Sequence, residues 1–150
     1  MKLLVPPPLW AVLAGALIWA LAHLLPQFAF SFPGQSILAN SFFGAAIALG
    51  TVAIASFLTK RTTISPHTPQ KTSTLVTTGL YSFSRNPMYL AMLLALIGFA
   101  IARGHPLGLL PVIGFIIVIE TLQIRPEEAV LEEKFGEHYR AYKARVRRWI

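Results

Sequence analysis

Residues Ser36 to Leu58 contain no charged side chain, and three further apolar runs carry only His23 and Glu120 between them: about Leu9 to Leu25, Pro87 to Ala102 and Pro106 to Ile124. About 20 apolar residues in a helix cross the roughly 30 Å of bilayer hydrocarbon, and in lipid a helix is the segment that satisfies its own backbone polar groups. At 55% hydrophobic and 13% charged residues, with a mean hydropathy of +0.60, the rest of the chain is too small and too apolar to form a separate soluble module. The expected fold is all-α: a polytopic membrane helical bundle of about four transmembrane helices, at 9–25, 36–58, 87–102 and 106–124. A cytosolic loop at 60–86 and a C-terminal amphipathic interfacial helix at 126–148 complete one domain over residues 1–150.

A net charge of +7 raises the question of nucleic acid. The basic residues, however, collect beside the apolar runs instead of making a polar face of their own, so membrane flanks are the simpler reading and no nucleic-acid partner is expected. Lys2, then Lys60, Arg61, Lys71 and Arg85, then Lys134 through Arg148 fall on one side of a four-span chain, while Pro26 to Gln35 has no charge and Arg103 is the exception. The positive-inside rule places both termini and the 60–86 loop in the cytosol, with a bacterial inner membrane as the setting. A cleaved signal peptide is the competing reading of the start, since Ala20-Leu21-Ala22 resembles a cleavage site. Prolines 6–8 and the even number of spans favour a retained helix. The chain has no cysteine, which removes disulfides, thiolate nucleophiles and Cys-based metal sites, and no other metal site is expected. Gly44, Gly50 and their alanine neighbours suit close helix packing within one chain or between two, which leaves the oligomeric state open.

Polar chemistry gathers at the ends of the third and fourth runs. In "GLYSFSRNPMY" (Gly79 to Tyr89), Pro87 suits the first turn of a helix and Asn86 its N-cap, where the side chain would satisfy a free amide. The exposed N–H groups and dipole of that helix start favour an anion. An equally open reading is an interfacial belt, with Arg85 on lipid phosphate and Tyr81 and Tyr89 as anchors. After the fourth run, Pro126 should interrupt or restart the helix, with Glu127 and Glu128 in the favoured first turn. Leu131, Phe135, Tyr139, Tyr142, Val146 and Trp149 then recur at spacings of four and three, an amphipathic stripe expected to lie in the interface against anionic lipid, with a bend at Gly136. Glu120, an acid within an apolar run, should face protein or a cavity, sharing a face with Gln123 towards Glu127, unless it simply reaches water. Acids and aromatics at one cytosolic edge suit a cationic ligand, through Coulomb and cation–π attraction.

"LVTTGLYSFSRNPMY" (Leu75 to Tyr89) followed by "RPEEAVLEEKFGEHYRAYKARV" (Arg125 to Val146) resembles the integral-membrane methyltransferases of the isoprenylcysteine carboxyl methyltransferase family, which includes phospholipid methyltransferases. The resemblance covers the second half of the chain. It implies S-adenosyl-L-methionine as methyl donor, bound without a Rossmann domain, and this chain has no GxGxxG following a strand. Position by position, it implies cofactor contacts at Ser73, Thr74, Leu75, Val76, Tyr81, Arg85, Asn86, Pro87, Met88, Tyr89 and Glu127. Asn86 stands where histidine is commoner in the family, so no imidazole titrates there. A substrate-side arginine maps nearest to Arg125, although strict alignment puts Gln123 in its place.

Methyl transfer from a sulfonium is an in-line displacement, promoted by alignment and exclusion of water. A lipid-like or isoprenylcysteine-type carboxylate acceptor would need Arg125 for positioning and no base. A phospholipid headgroup amine would need one, with Glu120 or Glu128 available. The acceptor would enter from the bilayer and the donor from the cytosol. Two other readings stand beside these: a nicotinamide-dependent membrane reductase, and a non-enzymatic membrane scaffold.

Overall fold

The computed structural model describes residues 5–59 and 75–150, all helix, turn or irregular chain. Helix α1 (Pro7–Leu24) takes Pro7 into its first turn, where the missing N–H costs nothing. Helix α2 (Gln35–Thr59) is followed, beyond the undescribed segment, by a short 3₁₀ turn at Gly79–Ser82 and by α3 (Pro87–Arg103). Another 3₁₀ turn at Pro106–Gly108 leads into α4 (Leu109–Ile119), a π turn at Glu120–Ile124, α5 (Arg125–Phe135) and α6 (Glu137–Arg145).

Helices α1, α3 and α4 enclose the core, in which Ile18, Leu96, Val112, Phe115 and Ile119 are among the most buried side chains, and α2 lies along α3. Gly98 permits that approach: a Cβ there would stand 3.1 Å from both the Ala39 carbonyl and the Phe42 Cβ. At the far end of α3, Gly104 turns the chain with φ +58°, and its carbonyl accepts a hydrogen bond from Phe30 N–H at 2.8 Å. Gln35 Nε2 donates to the Ile101 carbonyl at 2.8 Å, satisfying one of the carbonyls left over at the helix end. Leu9, Leu13 and Leu17 on α1, Ile37, Ile47 and Ile54 on α2, and Leu110, Ile113 and Ile117 on α4 point outward. Exposed aliphatic faces of this extent are what hydrocarbon, not water, covers.

Among the described residues, three helices are long and apolar enough to cross a membrane: Pro7–Leu24, Gln35–Ser56 and the continuous run Pro106–Phe135. The chain is therefore an integral membrane protein. Helix α3, at 17 residues, is about 26 Å long and falls just short of the same standard, so the expected fourth span is a marginal one.

The Pro106–Phe135 run corrects the expectation that Pro126 breaks the helix. The wide π turn immediately before it lets the helix continue past a residue that cannot donate. The C-terminal helix, expected over 126–148 with a bend at Gly136, is divided at that glycine, where φ is +52°, and α6 ends at Arg145. The amphipathic stripe is also placed differently. Tyr139, Tyr142 and Val146 pack with Leu75, Leu131 and Phe135, and Trp149 packs against the main core, so the stripe covers protein and not lipid.

Candidate functional site

The site is assembled from the mouth of α3, the π turn, the first turn of α5, and the last residues of the chain folded back across them. Pro87 starts α3 as expected, but the Asn86 side chain does not cap it. Asn86 Nδ2 instead donates to the Arg148 carbonyl at 2.9 Å, and the Asn86 backbone N–H donates to Ser84 Oγ at 3.1 Å. Arg85 N–H donates to the Arg147 carbonyl at 3.0 Å, so the C-terminal strap is stitched to this mouth by two consecutive residues.

Three carboxylates face this region with different partners. Tyr89, on the first turn of α3 and 6% exposed, donates its hydroxyl to Glu127 Oε1 at 2.7 Å. Among the described residues Glu127 forms no ion pair. Glu128, buried, meets Arg85 Nη1 at 3.2 Å and accepts a two-pronged contact from Arg148, Nε at 3.1 Å and Nη2 at 2.8 Å. Glu120 accepts from Arg148 Nη1 at 2.6 Å and from the exposed Arg125 at 3.2 Å.

The π turn explains how one guanidinium reaches both Glu120 and Glu128. In a regular α-helix, eight residues leave two side chains roughly 80° apart around the axis. A π turn absorbs one extra residue, so the eight act as about seven and the two acids share a face. Gln123 is correspondingly turned away from the acids, against the sequence expectation. It is buried, with Nε2 donating to the Val5 carbonyl at 2.6 Å.

Tyrosines line the other side. Tyr142 donates its hydroxyl to the Tyr81 carbonyl at 2.7 Å, tying α6 to the turn before α3. Burial, reinforced by Tyr142 and then Glu127, pushes the Tyr81 phenol up, and burial followed by Tyr139 does the same for Tyr142. Tyr139 is pushed up to about 12, by burial first and by the Glu128 carboxylate second. These phenols stay neutral, and that of Tyr142 serves as a hydroxyl donor. The Glu128 contact, above all, raises the Arg148 pKa and keeps that group a cation.

Of the expected site residues, Tyr81, Arg85, Asn86, Pro87, Tyr89, Glu127 and Glu128 come together here. Leu75 joins the tyrosine cluster, Val76 is buried and Met88 is half-buried. Glu120 is connected through Arg148, and Arg125 lies on the rim. Ser73 and Thr74, with most of the expected 60–86 loop, lie outside the described residues. The reading from sequence missed Arg148, taken there only as an orientation charge, and missed Tyr142 as a tie to Tyr81. Partner counting could have prompted a search for the former: three acids, Glu120, Glu127 and Glu128, stand in or beside an apolar helix, against Arg85 and Arg125 as two nearby cations.

A membrane-embedded helical bundle with an acid, arginine and tyrosine cluster at one end of its helices is thus the class defined by fold and site. The phospholipid methyltransferase family model matches residues 35–138, well over half of the chain, and the chain belongs to that family. The match runs from the start of α2 into α6 and stops short of Arg148. A protein of Haemophilus influenzae described only as uncharacterized is 51% identical over 63 residues, 42% of this chain and the whole of that protein. Membership implies a membrane methyltransferase activity for the chain.

Proposed function

We propose that the chain transfers a methyl group from S-adenosylmethionine to a lipid-like acceptor at the cytosolic edge of the bilayer, with both termini on that side and α3 as a fourth, short span. The single observation that carries the reading is the Tyr89–Glu127 pair: a carboxylate oriented by a 2.7 Å hydroxyl bond and with no cation on it among the described residues, beside Arg85, whose Nε is buried without a hydrogen-bond partner. An ammonium and a carboxylate on one ligand, as in the amino-acid end of S-adenosylmethionine, fit an unpaired Glu127 and an unfilled Arg85 donor. When bound, that cofactor supplies a methyl carbon activated by its sulfonium.

The chain's own residues hold, align and dehydrate. Glu127 and Arg85 orient the donor, Tyr89 fixes the Glu127 rotamer, and Tyr81 with Tyr142 closes the tyrosine side. Arg125, on the rim and 62% exposed, pairs with Glu120 on one side and offers its remaining donors to an anionic headgroup. Both acids proposed as a base are held in ion pairs, Glu128 by two arginines and Glu120 by two. A carboxylate so paired is a poor proton acceptor, which favours an acceptor that is already anionic, of the carboxylate type.

A second reading has its own support. The family description names phospholipid methylation, which favours a headgroup amine. One experiment separates the two. The protein is reconstituted with radiolabelled S-adenosylmethionine in vesicles of bacterial total lipid, with and without a prenylated cysteine analogue, and the extracted product is treated with alkali. Label released as methanol identifies a methyl ester, and label retained on lipid identifies an N-methyl product. Absence of both, in a protein that folds, overturns the proposal.

A further inference from the structure

We infer that Arg148 is a positioning residue of the donor site, acting from the C-terminal strap through Glu128; the inference rests on the methyl-transfer reading above. Glu127 and Glu128 are consecutive in the first turn of α5, so whatever fixes one carboxylate fixes the turn that presents the other. Glu128 is gripped from the α3 side by Arg85 and from the strap by the fork of Arg148. The third nitrogen of the same guanidinium, Nη1, holds Glu120 at 2.6 Å, eight residues before Glu128 at the start of the π turn. One planar group therefore clamps both ends of the widened turn, and Glu127 is left facing Tyr89 and free of cations among the described residues.

The strap itself is placed independently of these charges. Arg147 and Arg148 carbonyls accept from Arg85 N–H and Asn86 Nδ2, and Trp149 packs against the core that contains Tyr89. The guanidinium is thus delivered to the acids by a backbone already fixed, with little freedom left to lose when it binds. Lysine at this position would offer a point charge able to meet one carboxylate but not to fork Glu128 while holding Glu120.

The test uses the full chain in nanodiscs and S-adenosylmethionine as the probe, with affinity read by calorimetry for wild type, Arg148→Met, Arg148→Lys, Glu128→Gln, the Arg148→Met/Glu128→Gln double variant, and Trp149→Ala. Arg148→Met is expected to weaken binding about 10- to 100-fold, the range typical when a group that orients a ligand-holding residue is removed. Arg148→Lys should recover part of the loss, and the double variant should bind no worse than Glu128→Gln, because Arg148 acts through Glu128. Wild-type affinity in Arg148→Met, or additive losses in the double variant, would overturn the inference while leaving the methyl-transfer reading intact. A Trp149→Ala loss as large as that of Arg148→Met would overturn it too, since the strap and not the guanidinium would then matter. No binding by folded wild type removes the donor reading itself, and this inference with it. If Arg148→Met does not fold, the Arg148→Lys result against Glu128→Gln decides.

Discussion

The Tyr89–Glu127 bond permits a worked prediction. Tyr89→Phe deletes one hydroxyl from a ring that is 6% exposed and leaves the packing of α3 unchanged. A hydrogen bond to a charged group contributes about 1.5–3 kcal/mol, and the lower end applies here because Glu127 is only half-buried. At 1.4 kcal/mol per tenfold, donor affinity should fall about tenfold if the hydroxyl orients the carboxylate that grips the donor. Glu127→Gln keeps the shape and the acceptor oxygen but removes the charge. Loss of one member of a close charge pair costs about 2–5 kcal/mol, or roughly 30-fold and upward in affinity. The two should not add: with the charge gone, the hydroxyl has little left to orient, and Tyr89→Phe/Glu127→Gln should bind about as Glu127→Gln does. Calorimetric titration of S-adenosylmethionine into nanodiscs reads all three, with thermal unfolding as the check on folding. Wild-type affinity in Tyr89→Phe, or simple multiplication of the two losses, would refute the pairing as the means of holding the donor.

Three further outcomes follow from the geometry. Gly104→Ala should cost about 3 kcal/mol, because a left-handed φ carries about 1–2 kcal/mol and its Cβ would strike the Phe30 carbonyl and the Gln35 amide; Gly34→Ala, at φ +83° in open space, should show the backbone part alone, and equal costs on unfolding in denaturing detergent would exclude the close approach. Tyr142→Phe strands the Tyr81 carbonyl without its buried partner and should cost about 1–3 kcal/mol, checked by the same unfolding assay. Because folding raises the pKa of Tyr81, Tyr139 and Tyr142 above the unfolded value of about 10, the folded state keeps protons that the unfolded state loses. The associated stability is complete below about pH 10 and is lost as pH climbs towards about 12, so ultraviolet phenolate absorbance should appear late in the folded protein and early in denaturant.

The helices were legible because lipid imposes a length and forbids charge, and because Pro87 and Pro106 mark two of their starts. The two site motifs were legible as a resemblance, and Tyr89 with Glu127 is the contact that joins them. Other features could not be read that way. Periodicity assumes a constant 3.6 residues per turn, so the π turn that brings Glu120 and Glu128 to one face, and sends Gln123 to the other, leaves no trace in it. A stripe of Tyr139, Tyr142 and Val146 states that something apolar covers it; that the cover is Leu75 and its own helix neighbours is a long-range fact. Arg148 was obscured by its company, since Arg145 and Arg147 beside it are just the cluster expected of a cytosolic flank.

The position of the site follows from the surplus length of one helix. The run Pro106–Phe135 is 30 residues, about 45 Å, against about 30 Å of hydrocarbon. If its apolar start at Pro106 lies at the far interface, the last 15 Å emerge on the near side; this stretch carries Glu127 and Glu128, and Glu120 lies about 9 Å below it, held by the Arg148 guanidinium. Acids at that depth avoid the cost of ionisation in hydrocarbon while remaining shielded enough for ion pairs and hydroxyl bonds to orient them. Arginines from the turn just before α3 and from the strap reach them there, but their nonpolar neighbours on α4, Ile113 and Ile117, still face lipid. A water-borne donor and a membrane-borne acceptor can meet only where one helix presents both surfaces within a few turns. The widened turn at Glu120–Ile124 lies at that change of surroundings, setting the angle between the lipid-facing side chains below it and the acids above.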